Sequence, residues 1–323
     1  MNKQVRFSVA PMMDWTDRHC RMFHRLLNSS IDLYTEMVTT GALLYGDRQR
    51  FLKYDPLEHP VILQLGGAEP EDLAKCAKMA EEAGYDEVNL NCGCPSPRVQ
   101  KGAFGACLMS EPVKVAKCIE AMQDACNIPV TVKCRIGIDD SDEYEFLERF
   151  VCENKAAGCK TFIVHARKAW LDGLSPKDNR EVPPLNYERV YRLKQEHPEL
   201  EIHINGGIRS IEDVYTHLPY VDGIMIGREA YQNPWFLKEI EKEFCLDSYQ
   251  GISKSDIVRK MMVYAEREIN ENHVKLHDIT RHMLGLFQGQ KGAKSWRRYL
   301  SEVSQKAENN TSYILKFLNQ LSE

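Results

Sequence analysis

The stretch around which this chain is organised runs from residue 87 to residue 109 and reads EVNLNCGCPSPRVQKGAFGACLM. It opens with Val88 and Leu90 between polar neighbours, which predicts a buried strand. Gly93-Cys94-Pro95 then turns the chain into a loop that carries two more glycines, because proline ends a strand ladder. A thiol in a loop directly after a strand is where an α/β enzyme keeps a reactive group. Cys94 is therefore a candidate catalytic residue, with a buried structural thiol as the alternative.

Short apolar segments alternate with amphipathic helical patterns through roughly the first 230 residues. Eight strands are predicted, at Phe7–Met12, Leu33–Val38, Pro60–Leu65, Glu87–Cys92, Pro129–Arg135, Thr161–Ala166, Glu201–Asn205 and Gly223–Ile226. Eight strands that are each followed by a helix predict a closed parallel (β/α)8 TIM barrel, for which about 240 residues is an ordinary length. An open doubly wound sheet is the competing fold, but no G-x-G-x-x-G pattern follows the first strand.

The carboxyl ends of these strands carry polar residues and glycines. A TIM barrel places its active site at that face of the sheet. The polar residues at successive strand ends are Gln64, Asn91, Lys133, His165 and Asn205. A purely structural barrel has no need for such residues in strand after strand, so together they predict one functional site.

Glycines follow the last two predicted strands. Gly206-Gly207 and Gly227-Arg228 each precede a helical pattern. Bare backbone N–H groups in these two loops form the usual phosphate site of a barrel, and Arg228 adds charge to it. The alternative for each glycine is a tight turn alone. The position of both turns favours phosphate binding.

After about residue 230 the pattern changes to helices without strands between them, which predicts a C-terminal helical bundle. The predicted helices are Pro234–Cys245, Asp256–Asn270, Ile279–Gln288, Ala293–Ser304 and Ser312–Leu321. We place the barrel domain at residues 1–243 and the helical domain at residues 244–323. In the helical domain Lys294, Arg297 and Arg298 stand at i, i+3 and i+4, so they share one helix face. This basic stripe is either a solvated face or a contact for the phosphates of a long polyanion.

Composition limits the class of protein. The net charge is −5, but residues 251–323 hold 12 Lys and Arg against 8 Asp and Glu. This charge asymmetry hints that the partner is an anionic macromolecule. A plain solvated surface explains the asymmetry nearly as well. No apolar run approaches the roughly 20 residues of a membrane span, so no membrane partner is expected. Eleven scattered cysteines indicate a reducing cytoplasm. Cys92, Cys94 and Cys107 fit no usual zinc spacing, so no metal is expected. A monomer is expected.

Eight segments together resemble a known family. They read APMMDWTDRHCR, LYTEMVTTGAL, HPVILQLGG, NLNCGCPSPRVQKGAFGACLM, VTVKCRIGIDD, VHARKAWLDGLSPKDNREVPPLNY, INGGI and GREAYQNP. These segments resemble the tRNA-dihydrouridine synthases, and more narrowly their A-type branch, which acts on D-loop uridines 20 and 20a. The resemblance covers nearly all of residues 5–240, and its most distinctive part is the insert Lys168–Tyr187. The tail resembles the family only in being helical and basic.

The resemblance implies a set of site residues and cofactors. It implies FMN at the barrel mouth, NADPH or NADH as the transient reductant, and tRNA as the substrate whose uridine is reduced to 5,6-dihydrouridine. The implied FMN contacts are Pro11, Met12, Met13, Gln64, Lys133, His165, Asn205, Gly206, Gly207, Gly227 and Arg228. The implied RNA contacts are Asn91 on the target uracil, Arg180 on the uridine, Lys177 on nearby RNA, and Lys294, Arg297 and Arg298 on phosphates. Cys92 departs from the family, which has a small apolar residue there.

The implied chemistry suits these residue types. Hydride adds at C6 of uracil and a proton must then reach C5, for which Cys94 is the implied acid. A cysteine with an ordinary pKa near 8.5 is mostly a thiol at neutral pH, although the charge of Lys133 nearby would lower that pKa. The target base is stacked in folded tRNA, so it has to be flipped out to react.

Two rival functions remain open at this point. One is an FMN barrel enzyme that reduces a small substrate such as a free pyrimidine or dihydroorotate. It would need neither the basic tail nor the insert Lys168–Tyr187. The other is a non-catalytic RNA-binding protein, which would not explain why Gln64, Lys133, His165 and Cys94 stand at the strand ends of one barrel.

Overall fold

The computed structural model describes residues 5–246, 249, 251–303 and 309–321, and in these residues nine parallel strands form one sheet. They are β1 Arg6–Val9, β2 Asp32–Tyr34, β3 Val38–Thr39, β4 Val61–Gly66, β5 Glu87–Cys92, β6 Val130–Arg135, β7 Thr161–His165, β8 Glu201–Asn205 and β9 Gly223–Ile226. The sheet closes because β1 pairs with both β2 and β9, while β2 also pairs with β4. The two-residue β3 continues the β2 position beside β4. The predicted TIM barrel is confirmed.

The second predicted strand, Leu33–Val38, is wrong as one continuous strand. β2 ends at Tyr34 and β3 begins only at Val38. Between them the hydroxyl of Thr35 accepts a hydrogen bond from the Gln64 N–H at 3.0 Å and donates to the Glu36 carbonyl at 2.7 Å. A side chain therefore occupies a position in the ladder that a backbone carbonyl would otherwise fill, and this interrupts the strand.

Fifteen α-helices lie in the described part of the chain. They are α1 Arg18–Leu27, α2 Thr40–Tyr45, α3 Arg48–Leu52, α4 Pro70–Glu82, α5 Pro97–Lys101, α6 Pro112–Ala125, α7 Tyr144–Ala156, α8 Tyr187–Glu196, α9 Ile211–His217, α10 Glu229–Gln232, α11 Trp235–Phe244, α12 Lys254–Asn272, α13 Leu276–Thr280, α14 Ala293–Val303 and α15 Ser312–Leu321. Short 3₁₀ helices lie at Pro56–Glu58, Gly105–Ser110, Asp178–Arg180, Leu218–Tyr220 and Arg281–Met283. Among the described residues no helix is both long and apolar enough to cross a membrane.

The chain divides into two compact units. The first consists of the residues up to Met13 together with Asp32–Gly227, and it contains every strand named above. The second consists of Asp14–Ile31 together with the chain from Arg228 onward, so α1 belongs to it along with α10–α15. The predicted helical C-terminal region is confirmed. The functional division after residue 243 stays a prediction, because compactness alone assigns no function to either unit.

The second unit corrects one predicted helix, Ile279–Gln288. α13 ends at Thr280, a 3₁₀ turn covers Arg281–Met283, and the chain then continues in turns. Gly285 packs so closely on the backbone that a Cβ there would lie 2.3 Å from the Gln232 carbonyl oxygen. Tight turns, with the Gln288 N–H bonded to the Gly285 carbonyl at 2.9 Å, allow this approach. Periodicity in the sequence does not reveal such a close contact.

The interior of the barrel contains a chain of polar side chains. Thr131 donates to Glu87 at 2.7 Å, Asn89 donates to Thr131 at 2.9 Å, and Gln64 donates to Asn89 at 2.8 Å. Glu87 and Asn89 stand at alternate positions of β5, so both point to the same face of the sheet. At its other end this chain begins at Arg6, which lies 3.3 Å from Glu87. The hydrogen bonds therefore run along the barrel toward the carboxyl ends of the strands.

Candidate active site

Cys94 is held in place by the side chain of Asn91, the last polar residue of β5. The Asn91 carboxamide oxygen accepts hydrogen bonds from the backbone N–H groups of Gly93, at 3.1 Å, and Cys94, at 3.0 Å. Its amide nitrogen donates to the Gln64 carboxamide oxygen at 2.8 Å. Asn91 therefore connects the loop of Cys94 to the polar chain inside the barrel. In the part of the chain that the structure describes, the second N–H of this amide has no acceptor, so it is available for a ligand.

Arg135, at the end of β6, connects the Cys94 loop to the insert Lys168–Tyr187. Its Nε donates to the Gly93 carbonyl at 2.8 Å, and its Nη1 donates to the carbonyls of Lys168 at 2.9 Å and Asn179 at 3.0 Å. The sequence places Arg135 at a strand end but assigns it no role. Only the fold shows that its fork of donors meets carbonyls from two distant loops.

Gln100 makes a second connection between the same two loops. Its amide nitrogen donates to the carbonyls of Pro95 at 2.9 Å and Leu171 at 2.5 Å. No feature of the sequence singles out Gln100, because a glutamine in a loop is common. The insert is thus attached to the Cys94 loop at two separate points.

The Cys94 thiol is half-buried, and its surroundings keep it protonated. Burial raises the pKa of Cys94 above the ordinary value of a thiol, and this effect exceeds the opposing effects of the Ser96 N–H and of the charges on Arg135 and Arg180. Arg180, whose charge is among those that lower the pKa of Cys94, belongs to the insert. A thiol that stays protonated at neutral pH can donate a proton.

Two nitrogen bases lie near the same end of the barrel with pKa values lowered by burial. Burial and the charges of Arg135 and Lys133 hold the pKa of His165 well below its ordinary value, so its imidazole is neutral. Burial, followed by the charge of Arg135, lowers the pKa of Lys133 to about 8. Lys133 donates to the Asn205 side chain at 3.1 Å, and Asn205 donates to the Met225 carbonyl at 2.9 Å. The strand register places His165 beside both Arg135 and Asn205.

The glycines after β8 and β9 present unused backbone donors. Within the described residues the N–H groups of Gly206, Gly207 and Gly227 have no acceptor. Gly206 and Gly207 have φ values of 119° and 78°, and a Cβ on either would lie within 3 Å of a neighbouring side chain. Around Gly227 the space is open, since the nearest atom to a Cβ there would be Asn205 Nδ2 at 3.9 Å. Three free donors, with open space around Gly227, suit an anionic group.

The other predicted residues vary in how far the structure connects them to this site. Pro11 and Met12 are half-buried after β1, and Met13 is 55% exposed. Arg228 follows Gly227 directly and precedes α10. Lys177 is exposed beside the 3₁₀ turn of Arg180, and no contact with another described residue ties its side chain to the site. The structure therefore brings together the predicted residues Gln64, Asn91, Cys94, Lys133, His165, Arg180 and Asn205.

The chain resembles known proteins over nearly its whole length. Residues 8–322 match the family model described as Dihydrouridine synthase (Dus). The chain is 57% identical over 305 residues to the tRNA-dihydrouridine(20/20a) synthase of Shewanella oneidensis, which covers 94% of this chain and 90% of that protein. It is 58% identical over 303 residues to the protein of the same name from Escherichia coli K12, which covers 94% of this chain and 87% of that protein.

One solved structure shares the fold at low sequence identity. A 2-naphthoyl-CoA reductase complex matches with a TM-score of 0.58 over 73% of this chain and 50% of that chain. The two sequences are 10% identical, so this likeness concerns the fold alone.

The charge of Arg180 is expected to act on the Cys94 thiol. Because a nearby cation favours the thiolate, Arg180→Ala should raise the pH at which Cys94 is alkylated. The measurement is the iodoacetamide reaction rate of the Cys94 peptide against pH, followed by mass spectrometry. Lys177→Ala removes an exposed charge three residues away and is the matched control. Equal shifts of the alkylation midpoint in both variants would contradict the placement of Arg180.

Proposed function

The chain belongs to the dihydrouridine synthase family, and we propose that Cys94 is the acid with which it reduces uridine to dihydrouridine in tRNA. It is a flavin-dependent oxidoreductase, and tRNA is its substrate. The observation that carries the proposal is the position of Cys94 in the loop after β5. Asn91 accepts a hydrogen bond from the Cys94 backbone N–H, and burial raises the pKa of the half-buried thiol.

The flavin is FMN in this proposal, and the residues present fit it. Gly206, Gly207 and Gly227 offer three unused N–H donors for its phosphate, with Arg228 next in the chain. Pro11, Met12 and Met13 would offer apolar contact to its ring, and Gln64 and His165 would offer polar contacts from the strand ends. Lys133 would offer it a cation through the ammonium that also bonds Asn205. When bound, reduced FMN supplies the hydride, and NADPH or NADH then reduces the oxidised FMN again.

The chain's own residues then have distinct tasks. Cys94 gives its proton to C5 of the uracil as charge builds there. Asn91 orients the uracil through its remaining N–H, while its carboxamide oxygen keeps the Cys94 backbone in position. Arg180 contacts the uridine from the insert, and Lys177 contacts nearby RNA. Because these groups lie at the mouth of a barrel, the target base is flipped out of the tRNA stack to reach them.

The names of the relatives support a narrower substrate, which we propose for this chain. Its targets are the uridines at positions 20 and 20a of the tRNA D-loop. We also propose that the protein works as a monomer in the cytoplasm, where tRNA is modified and the eleven cysteines stay reduced.

Loss of the Cys94 thiol should stop proton delivery. With the flavin reduced anaerobically and the reductant removed, unmodified tRNA should reoxidise the wild type, and Cys94→Ala should slow this by roughly 10²- to 10⁴-fold. Reoxidation is followed by visible absorbance. Cys107→Ala is the matched control, because it removes another half-buried thiol, one that donates to the Phe104 carbonyl. Equal rates in wild type and Cys94→Ala would refute the proposed acid, and reoxidation by free uridine as fast as by tRNA would refute the RNA substrate.

Activity should depend on the ammonium form of Lys133. Since its pKa is lowered to about 8, the charged form is complete well below that pH and is lost as pH rises through it. The rate of reoxidation by tRNA should therefore fall through about pH 8. In Lys133→Arg this fall should disappear, because a guanidinium stays charged. In Lys133→Arg the rate should fall only at higher pH, where the Cys94 thiol loses its proton. The same fall near pH 8 in both proteins would exclude Lys133 as its source.

The basic stripe of α14 is proposed to hold phosphates of the tRNA, as part of a tRNA-binding domain at residues 244–323. Lys294, Arg297 and Arg298 are all exposed. Trp296, between them in sequence, is buried and donates to the Met283 carbonyl at 2.8 Å, which fixes the stripe on the outer face of the helix. Arg298 pairs with Glu302 at 3.0 Å. A surface ion pair of this kind contributes little to stability, so a phosphate can replace Glu302 as the partner of Arg298.

Removing two charges of the stripe should weaken tRNA binding in a salt-dependent way. In Lys294→Ala/Arg297→Ala the slope of log affinity against log salt concentration should become about two units shallower, one for each lost phosphate contact. The control is Lys260→Ala/Lys316→Ala, which removes two exposed lysines from α12 and α15. Affinity is measured by filter binding of tRNA. A slope unchanged from the wild type would show that the stripe is only a solvated face.

A further inference from the structure

A cavity of about 350 Å³ lies in the first unit, apart from the residues assigned to the uridine and the flavin. Its walls come from the carboxyl ends of three successive strands and the segments that follow them. They are Thr39–Gly41 at the end of β3, Gly66–Glu69 at the end of β4, and Arg98 with Gly102–Phe104 after β5. We propose that this cavity binds the nucleotide adjacent to the target uridine in the tRNA, an inference that rests on the proposed function.

The cavity shares its walls with the site of Cys94. The segment of Arg98 and Phe104 is the continuation of the Cys94 loop, which folds back so that the Ala106 N–H bonds the Cys94 carbonyl at 2.9 Å. On the opposite wall, Gly66 stands two residues beyond Gln64, whose side chain bonds Asn91. Both walls are therefore extensions of the elements that fix the catalytic thiol.

Phe104 forms an aromatic wall between these two loops. A Cβ on Gly66 would lie 2.8 Å from one edge of its ring, and a Cβ on Gly102 would lie 2.3 Å from the other. The two glycines thus leave the room in which the ring sits. Aromatic rings that are held in place in this way are the usual stacking surfaces for the splayed bases of single-stranded RNA.

Arg98 supplies the charge of the cavity. It is exposed, and no described residue pairs with its guanidinium. The carboxylate in the lining, Glu69, already lies 3.3 Å from the ammonium of Lys114. A free guanidinium, the hydroxyls of Thr39 and Thr40, and bare glycine backbone suit a phosphate and a ribose. The volume is at the small end for ligand pockets, as one nucleotide requires.

Covalent continuity makes the neighbour in the RNA the natural occupant. When the target base is at Cys94, one phosphodiester separates its nucleotide from each adjacent nucleotide. The cavity is lined by the continuation of the Cys94 loop, so it is next to the site of the target base. The chain that lines the cavity then continues into α2, which ends at Tyr45. Every residue from Tyr45 to Arg50 is exposed, Tyr45 by 84%, and two of the six are arginines. This exposed aromatic and basic segment suits a polyanion that extends beyond the cavity.

The test compares three variants in two half-reactions. Arg98→Ala removes the cavity's charge, and Gly41→Leu fills its space, since no atom lies within 4 Å of a Cβ at Gly41. Lys101→Ala is the matched control, because it removes another exposed charge of α5 that does not line the cavity. The first half-reaction is flavin reduction by NADPH. The second is anaerobic reoxidation by tRNA, intact or with an abasic nucleotide on the 5′ or the 3′ side of the target uridine.

We expect Arg98→Ala and Gly41→Leu to lower the second-order rate constant of reoxidation by intact tRNA about tenfold, with Lys101→Ala within twofold of the wild type. Flavin reduction by NADPH should be unchanged in all three variants. With the wild type, one of the two abasic tRNAs should react about tenfold more slowly than intact tRNA. With the two cavity variants the same abasic tRNA should react less than threefold more slowly than intact tRNA, because these variants have already lost the contact to the missing base.

Two results would overturn the inference while leaving the proposed function intact. One is slow reduction by NADPH with normal reoxidation by tRNA, which would assign the cavity to the nucleotide of the reductant. The other is an Arg98→Ala protein that matches Lys101→Ala and is as sensitive to both abasic sites as the wild type. A wild type that tRNA does not reoxidise at all would instead refute the proposed function itself.

Discussion

The position of Cys94 depends on a hydrogen-bonded chain that crosses the inside of the barrel. It runs from Glu87 through Thr131, Asn89 and Gln64 to Asn91, with each step between 2.7 and 2.9 Å. Each bond adds only about 1 kcal/mol to stability, but a buried polar group left without its partner costs roughly 1–3 kcal/mol. The side chains in this hydrogen-bonded chain therefore hold one another in place. The last of them, Asn91, fixes the backbone of the Cys94 loop.

The electrostatics of the site follow from competition between burial and charge. Near Cys94 the positive charges of Arg135, Arg180 and Lys133 favour a thiolate, yet burial is the largest effect and keeps the thiol protonated. The same burial disfavours charge on the neighbouring nitrogen bases and leaves His165 neutral. One low-dielectric barrel mouth thus produces an acid and a neutral imidazole side by side.

Arg135 and Gln100 explain how distant segments form one site. They attach the insert to the Cys94 loop through backbone carbonyls, which every residue type supplies. The identity of the accepting residues is therefore unconstrained, and no sequence pattern marks these connections. The same holds for the cavity beside Phe104, whose walls are contributed by loops that follow three different strands. Such features arise where parallel strands end side by side.

The sequence by itself determined the barrel, the helical tail and the polar strand ends, because hydrophobic period and strand-end chemistry are local properties. It misplaced the second strand, where the Thr35 hydroxyl enters the ladder, and a helix at Ile279–Gln288, where Gly285 meets a distant carbonyl. Only the tertiary structure decided which polar groups meet: Asn91 with the Cys94 backbone, Arg135 with two loops, Lys133 with Asn205. Apart from the bond between Asn91 and the Cys94 backbone, these contacts join residues far apart in the chain. Burial, which sets the pKa values of Cys94, Lys133 and His165, is a property of the whole folded barrel.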